Sequence, residues 1–248
     1  MELWATEHVA ALIVTTVAAV VLVAGARRPD AAWVAPAARL LALCLLAAFV
    51  TEQLTYALRG TWSARVNLPL QLTDAVTLVA AAALWRPQAA LLVELLYFWA
   101  LSASLQALIT PDLGETFPDV LFFTYFTTHA GAVLAACLLV FGCRRLPRPG
   151  AVWRVYALTA CFAALAGVAT LVTGGNYMFL RRKPVHGSLL DELGPWPWYI
   201  LAGAALGLLL FLALDALARW PVRAMPRGPQ DGQGGRSGGP TAHGTLGP

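Results

Sequence analysis

Long apolar runs dominate this sequence, each broken off by a short stretch rich in Arg, Pro, Gly or Asp. They fall at 7–26, 37–58, 67–85, 88–109, 118–143, 152–173 and 196–219. A helix needs about 20 predominantly apolar residues to cross the hydrocarbon of a bilayer. Backbone groups immersed there have no water to bond, so each run must satisfy its own amides as a helix. The pattern predicts an all-α fold, a polytopic membrane bundle of about seven transmembrane helices that occupies residues 1–220.

The character changes at Pro221. Residues 221–248, PVRAMPRGPQDGQGGRSGGPTAHGTLGP, carry too little apolar surface to offset the entropy of ordering. They are expected to form a disordered tail in which His243 is a solvated bystander. At the other end, MELWATEH is acidic and lacks a basic stretch or a small-residue cleavage site. The first run is therefore expected to be a retained anchor.

Composition agrees with a lipid solvent. Only 12% of residues are charged and 59% are hydrophobic, whereas soluble domains average about 25% charged. The net charge of +4 would suit nucleic acid, but the bases sit at run ends and in connections, where headgroups lie. Alternate connections divide the 17 bases unequally. Arg27, Arg28, Arg39, Arg86, Arg144, Arg145, Arg148, Arg154, Arg219, Arg223, Arg227 and Arg236 fall on one side. Arg59, Arg65, Arg181, Arg182 and Lys183 fall on the other. Positively charged loops stay inside, which predicts an outside amino terminus and a cytoplasmic carboxyl terminus in the cell membrane. Trp4, Trp62, Trp85, Trp196, Trp198 and Trp220 near run ends fit an interfacial belt. Cys44, Cys137, Cys143 and Cys161 lie in or beside apolar runs without CxxC spacing and read as inert thiols. Neither a metal site nor a cofactor is expected.

An ionisable group inside hydrocarbon is costly and needs a reason. The candidates are Glu52, Asp74, Glu94 and His129, with Asn67, Gln71, Thr73 and Gln106 as neutral polar companions. The predicted topology puts Glu52, Gln71, Thr73, Asp74 and Gln106 in the outer halves of their helices and His129 near mid-depth. Glu94 falls nearer the cytoplasmic end. Asn67, Gln71 and Asp74, at i, i+4 and i+7, predict one polar face on the third helix. Such a face either joins a hydrogen-bond network that fixes helix packing or lines a wet cavity.

A histidine beside a hydroxyl is the minimum pair for nucleophilic acyl chemistry, and Thr73 supplies that hydroxyl for His129. Asp74 or Glu52 would orient the imidazole. The bland alternatives are a packing histidine and a threonine bonded to its own backbone. In the outer connection GGNYMFLRRKPVHGSLLDELGPWPWY (174–199), three consecutive bases run against the charge rule. Arg181, Arg182 and Lys183 are either phosphate ligands at the cavity mouth or partners of Asp191 and Glu192.

The segments NLPLQLTD (67–74), ELLYFWALSASLQALITPDL (94–113), the run containing His129, and GGNYMFLRRKP followed by SLLDELGPWPWY resemble the YwaF family of bacterial membrane proteins. That family is similar to a eukaryotic transmembrane acyltransferase family of ether phospholipid metabolism. More distantly it is similar to androgen-induced membrane hydrolases with a threonine nucleophile. The resemblance implies an intramembrane acyl hydrolase or acyltransferase acting on membrane lipids, with Thr73 in the nucleophile position and His129 in the histidine position. In that reading Asn176, Arg181, Arg182 and Lys183 of the outer connection are the expected headgroup ligands. Many members read LPLHLCD where this chain has Gln71 and Thr73, and a hydroxyl needs a stronger base than a thiol does. The other reading is a transporter or lipid-binding protein that uses the same cavity without catalysis.

Overall fold

A computed structural model describes residues 5–185 and 188–223, and the side chains among them up to Arg219. Every regular element among the described residues is a helix, and none is a strand. Its seven helices are α1 (Thr6–Ala26), α2 (Val34–Leu58), α3 (Leu72–Trp85), α4 (Ala90–Ile109), α5 (Val120–Gly142), α6 (Ala151–Thr173) and α7 (Trp198–Arg223). Six are long and apolar enough to cross a bilayer, and α3, at 14 residues, is the exception. Helix α7 continues past Pro221 to Arg223. The rest of the expected tail, including His243, lies outside the described residues, as do Trp4 and the side chain of Trp220.

The outer surface explains why this bundle belongs in lipid. Leu171 and Val172 are 83% and 81% exposed, and Ile13, Val14, Val20 and Leu54 also point outward. Apolar surface on this scale is stable only when another apolar phase covers it. Inside, α5 is the central helix and packs against α1, α2, α3 and α4. At Gly131 of α5 an added Cβ would sit 2.7 Å from a Leu45 methyl, so glycine is what lets α2 approach this closely. Helices α6 and α7 are tied on by polar ends of buried aromatics. Trp99 donates to Thr159 Oγ1 at 2.8 Å, and Tyr97 donates to the Leu214 carbonyl at 2.8 Å.

The third apolar run departs from expectation. A helix over all of 67–85 does not form; the helix begins at Leu72, and residues 67–71 are irregular. Pro69 is the physical cause, since it lacks an amide donor and disfavours helix at the residue before it. Asp74 then closes the new helix start, accepting the Gln71 backbone N–H at 3.3 Å. With 1.5 Å rise per residue, α3 is about 21 Å long against a hydrocarbon core of about 30 Å. Irregular backbone at membrane depth is tolerated only where protein or a wet cavity surrounds it. The expected single polar face of Asn67, Gln71 and Asp74 is thereby replaced by a loop and a helix start.

Candidate functional site

A cavity of about 1030 Å³ opens at the end of the bundle shared by the 59–71, 110–119 and 174–197 connections, the end expected to be outside. Ten of the twelve residues singled out from the sequence line it: Thr73, His129, Glu52, Asn67, Gln71, Asp74, Gln106, Asn176, Arg182 and Lys183. Glu94 and Arg181 do not. The walls come from α2, the first turn of α3, α4, α5 and α7, so no single helix makes the site.

Thr73 is brought to the cavity by the break before α3. As the second residue of that helix, it stands where backbone N–H groups have no carbonyl one turn back to bond. Had the run stayed helical from residue 67, those amides would have been used within the helix.

His129 approaches from α5. Its Nδ1 lies 2.8 Å from the Tyr125 carbonyl oxygen and 3.2 Å from Thr128 Oγ1, and its ring stacks on Tyr125 with centroids 4.1 Å apart. A carbonyl only accepts, so Nδ1 carries the proton and Nε2 keeps its lone pair. The imidazole is thus oriented by a backbone carbonyl one turn earlier. Asp74, expected as an orienting carboxylate, is instead bonded to the Gln71 backbone N–H. Tyr125 is itself held, donating to the Ala107 carbonyl at 2.8 Å.

Several expected ligands turn out to organise the loops. Asn67 is buried, and its Oδ1 accepts the Ser63 N–H at 2.9 Å. Gln71 Oε1 accepts the Met178 N–H at 2.8 Å, which ties the 59–71 connection to the 174–197 connection. Gln106 donates to Thr110 Oγ1 at 2.9 Å. Asn176, expected to touch a headgroup, accepts the N–H groups of Arg181 and Arg182 at 3.0 Å each and donates to the Arg182 carbonyl at 2.8 Å. Lys183 approaches Asp191, with Nζ 3.2 Å from its carbonyl and 3.9 Å from its carboxylate, and lies over the Tyr199 ring. Arg182 is left exposed at the rim.

The loop above the cavity is strained and firmly held. Met178 and Phe179 both have positive φ, 51° and 55°, a region that costs a side chain energy unless its surroundings fix it. Tyr199 donates to the Phe179 carbonyl, and Trp196 Nε1 donates to the Leu180 carbonyl at 3.2 Å. Gly175 lies so close to Arg65 that an added Cβ would be 2.3 Å from its carbonyl oxygen.

Glu94 belongs to a different structure at the opposite end. It is 1% exposed and accepts from Arg148 Nε at 2.8 Å and from Arg154 Nη2 at 2.9 Å. The Arg148 backbone N–H adds a further bond at 3.0 Å. This cluster clamps the connection after α5 onto α4 and α6, away from the cavity.

Sequence reasoning missed Glu115, Tyr56 and Tyr125, all of which line the cavity. Glu115 joins Glu52 and Asp74 in the lining, so three carboxylates border one space. Tyr125 stands one turn before His129, which was a usable signal. Glu115 sits in a connection and carried none. His8 was also missed: it is fully buried at the start of α1, with Nε2 2.7 Å from the Leu108 carbonyl near the end of α4.

The polar lining of α4 coincides with a widened stretch of that helix. Residues Ala100–Ser104 are π-helical, and Ser102 and Ala103 within them face the cavity. Single-turn π insertions are found preferentially at functional sites.

No curated protein and no solved structure matches the chain. The model of a family of transmembrane proteins does match, over residues 3–215, a range that takes in six of the helices entire and most of α7. By that match the chain belongs to the TMEM164 family.

Proposed function

We propose that the cavity is an acyl-transfer chamber for membrane lipid esters, with Thr73 as nucleophile and His129 as base. The observation that carries this reading is that Thr73, on α3, and His129, on α5, line one cavity at one end of the bundle. Support also comes from the bond between His129 Nδ1 and the Tyr125 carbonyl, which leaves Nε2 as the proton acceptor. The likeness of the 67–74 and 174–199 segments to the YwaF family, and through it to transmembrane acyltransferases, points the same way.

In this mechanism Thr73 Oγ attacks the ester carbonyl carbon while its proton passes to His129 Nε2. The resulting oxyanion sits at the amino end of α3, where free backbone N–H groups and the positive end of the helix dipole favour negative charge. Collapse breaks the ester C–O bond, and the proton on Nε2 goes to the departing alkoxide. Water or a second lipid hydroxyl then takes the acyl group from Thr73 by the same steps in reverse. Arg182 at the rim would face the phosphate of a phospholipid substrate.

The test is lipid ester turnover by the purified protein in vesicles of mixed phospholipid. Thr73→Ala should lower fatty acid release or exchange by at least about a hundredfold, as should His129→Ala, while Thr73→Ser keeps part of it. Equal rates for Thr73→Ala and wild type would remove the nucleophile assignment. A non-catalytic carrier is the second reading, favoured by the neighbouring carboxylates Glu52, Asp74 and Glu115. It predicts proton-coupled lipid or solute movement that survives Thr73→Ala.

A further inference from the structure

A second, smaller cavity of about 430 Å³ lies at the other end of the bundle, the end expected to be cytoplasmic. Its walls come from three connections and their flanking helices: Ala31–Arg39, Leu84–Gln88 and Leu139–Arg145. We infer that this cavity is a binding site for a phosphate-bearing anion, held between Arg39 of α2 and Arg145 of the α5–α6 connection.

Four observations carry it. The lining contains two guanidinium groups and no carboxylate. Four other bases at this end are already engaged, Arg148 and Arg154 by Glu94, Arg219 by Asp215, and Arg27 by the Phe141 carbonyl, while Arg28, Arg86 and Arg144 do not line the cavity. Among the described residues, neither Arg39 nor Arg145 has a carboxylate within ion-pair distance. Arg39 lies five residues inside α2, alone in the apolar stretch Val34–Val50, and its side chain is exposed and open to an anion from outside the chain. Trp85 at the lip and Val34, Leu84 and Leu139 within give the amphipathic wall that suits a group lying at the hydrocarbon boundary.

Helix dipoles do not decide the sign. The positive start of α2 (Val34 and Ala35) and the negative end of α3 (Leu84 and Trp85) face the same space. The negative end of α5 (Leu139 and Cys143) faces it too, and at about half a charge each the three ends leave a net of about half a negative charge, which the two full charges of Arg39 and Arg145 outweigh. The ligand is a phosphate ester, either the headgroup of an anionic phospholipid in the adjoining leaflet or a soluble phosphorylated compound.

Cys143 lines the cavity and serves as the reporter. The protein carrying Cys44→Ser, Cys137→Ser and Cys161→Ser is placed in nanodiscs, and the rate of maleimide addition to Cys143 is measured. In phosphatidylcholine discs the thiol should react freely, and phosphatidylglycerol should slow it about tenfold if the source is lipid. If the source is soluble, millimolar glycerol phosphate should slow it in phosphatidylcholine discs instead. Arg39→Gln with Arg145→Gln should abolish protection, as should Ala35→Trp, which fills the cavity and keeps both charges. Arg86→Gln, next to the cavity but not lining it, should leave protection intact. The inference is overturned if neither anion protects, or if Arg86→Gln removes protection as fully as the double variant does, because the effect is then bulk surface charge.

Discussion

Tyr177 Oη donates to the carbonyl oxygen of Ala64 at 2.6 Å, across more than a hundred residues of sequence. The phenol oxygen also accepts the Leu68 N–H at 3.1 Å, and the Tyr177 side chain is fully buried. One phenol therefore supports both the irregular stretch before α3 and the loop over the cavity. That shared support is what keeps Thr73 at the start of a helix instead of inside one.

Removing this hydroxyl tests the arrangement. Tyr177→Phe takes the partner from a part-buried carbonyl and a part-buried amide and should cost about 0.5–1.5 kcal/mol. The thermal midpoint in detergent should fall, and protease cleavage within 181–185 should quicken. An unchanged midpoint and cleavage rate would show that the phenol is not what joins the two loops.

Gly175 and Gly207 form a matched pair. At Gly175 an added Cβ would meet the Arg65 carbonyl at 2.3 Å, and backbone cannot swing aside, so Gly175→Ala should cost about 1–3 kcal/mol. At Gly207, on α7, an added Cβ meets nothing within 4 Å. Gly207→Ala should be neutral or stabilising by up to about 1 kcal/mol through helix propensity. Thermal melts of the two variants should move apart, and equal losses would contradict the close approach at Gly175.

Glu94 should be a stability residue with little influence on the cavity. Its carboxylate is buried, whereas Arg148 and Arg154 are 52% and 40% exposed, so water already screens the bases. Glu94→Gln should cost about 1–3 kcal/mol, below the loss typical of a wholly buried pair. Any lipid turnover measured at low temperature should persist in the variant. Loss of turnover with an intact melt would place Glu94 in the chemistry.

Acid should loosen the cavity end of the bundle through Asp119. This residue starts α5 by accepting the Leu121 N–H at 2.8 Å, and it pairs with Arg59 at 2.9 Å. The Leu121 amide and then Arg59 hold its carboxyl below the usual range. A carboxylate depressed by folding adds stability that is complete above its unfolded value of about 3.9 and vanishes as pH falls through its folded value. Asp119→Asn, which still caps the helix, removes only the charge. The gap in thermal midpoint between wild type and Asp119→Asn should hold from about pH 7 to pH 5 and close below about pH 4. A gap that widens on acidification would have the wrong sign.

The number and rough extent of the helices were legible in sequence because hydropathy is a local sum. A run such as 7–26 or 152–173 settles its solvent from its own side chains, whatever it packs against. The polar residues worth watching were legible for the same reason, since a Glu52 or a His129 in hydrocarbon is anomalous wherever the helix ends up. Even the break before α3 left a sign, in Pro69.

What those residues do was decided by tertiary structure. Glu52, Thr73 and His129 line a common cavity only because three connections and five helices converge there, and Glu94, equally anomalous in sequence, was drawn to the opposite end by two arginines from a later connection. Asn67, Gln71 and Asn176 became supports of the loops because backbone amides distant in sequence arrived beside them. Hydrogen bonds are short-ranged and blind to chain order, so the partner of a polar side chain is set by which segments pack together, a property that no single apolar run contains.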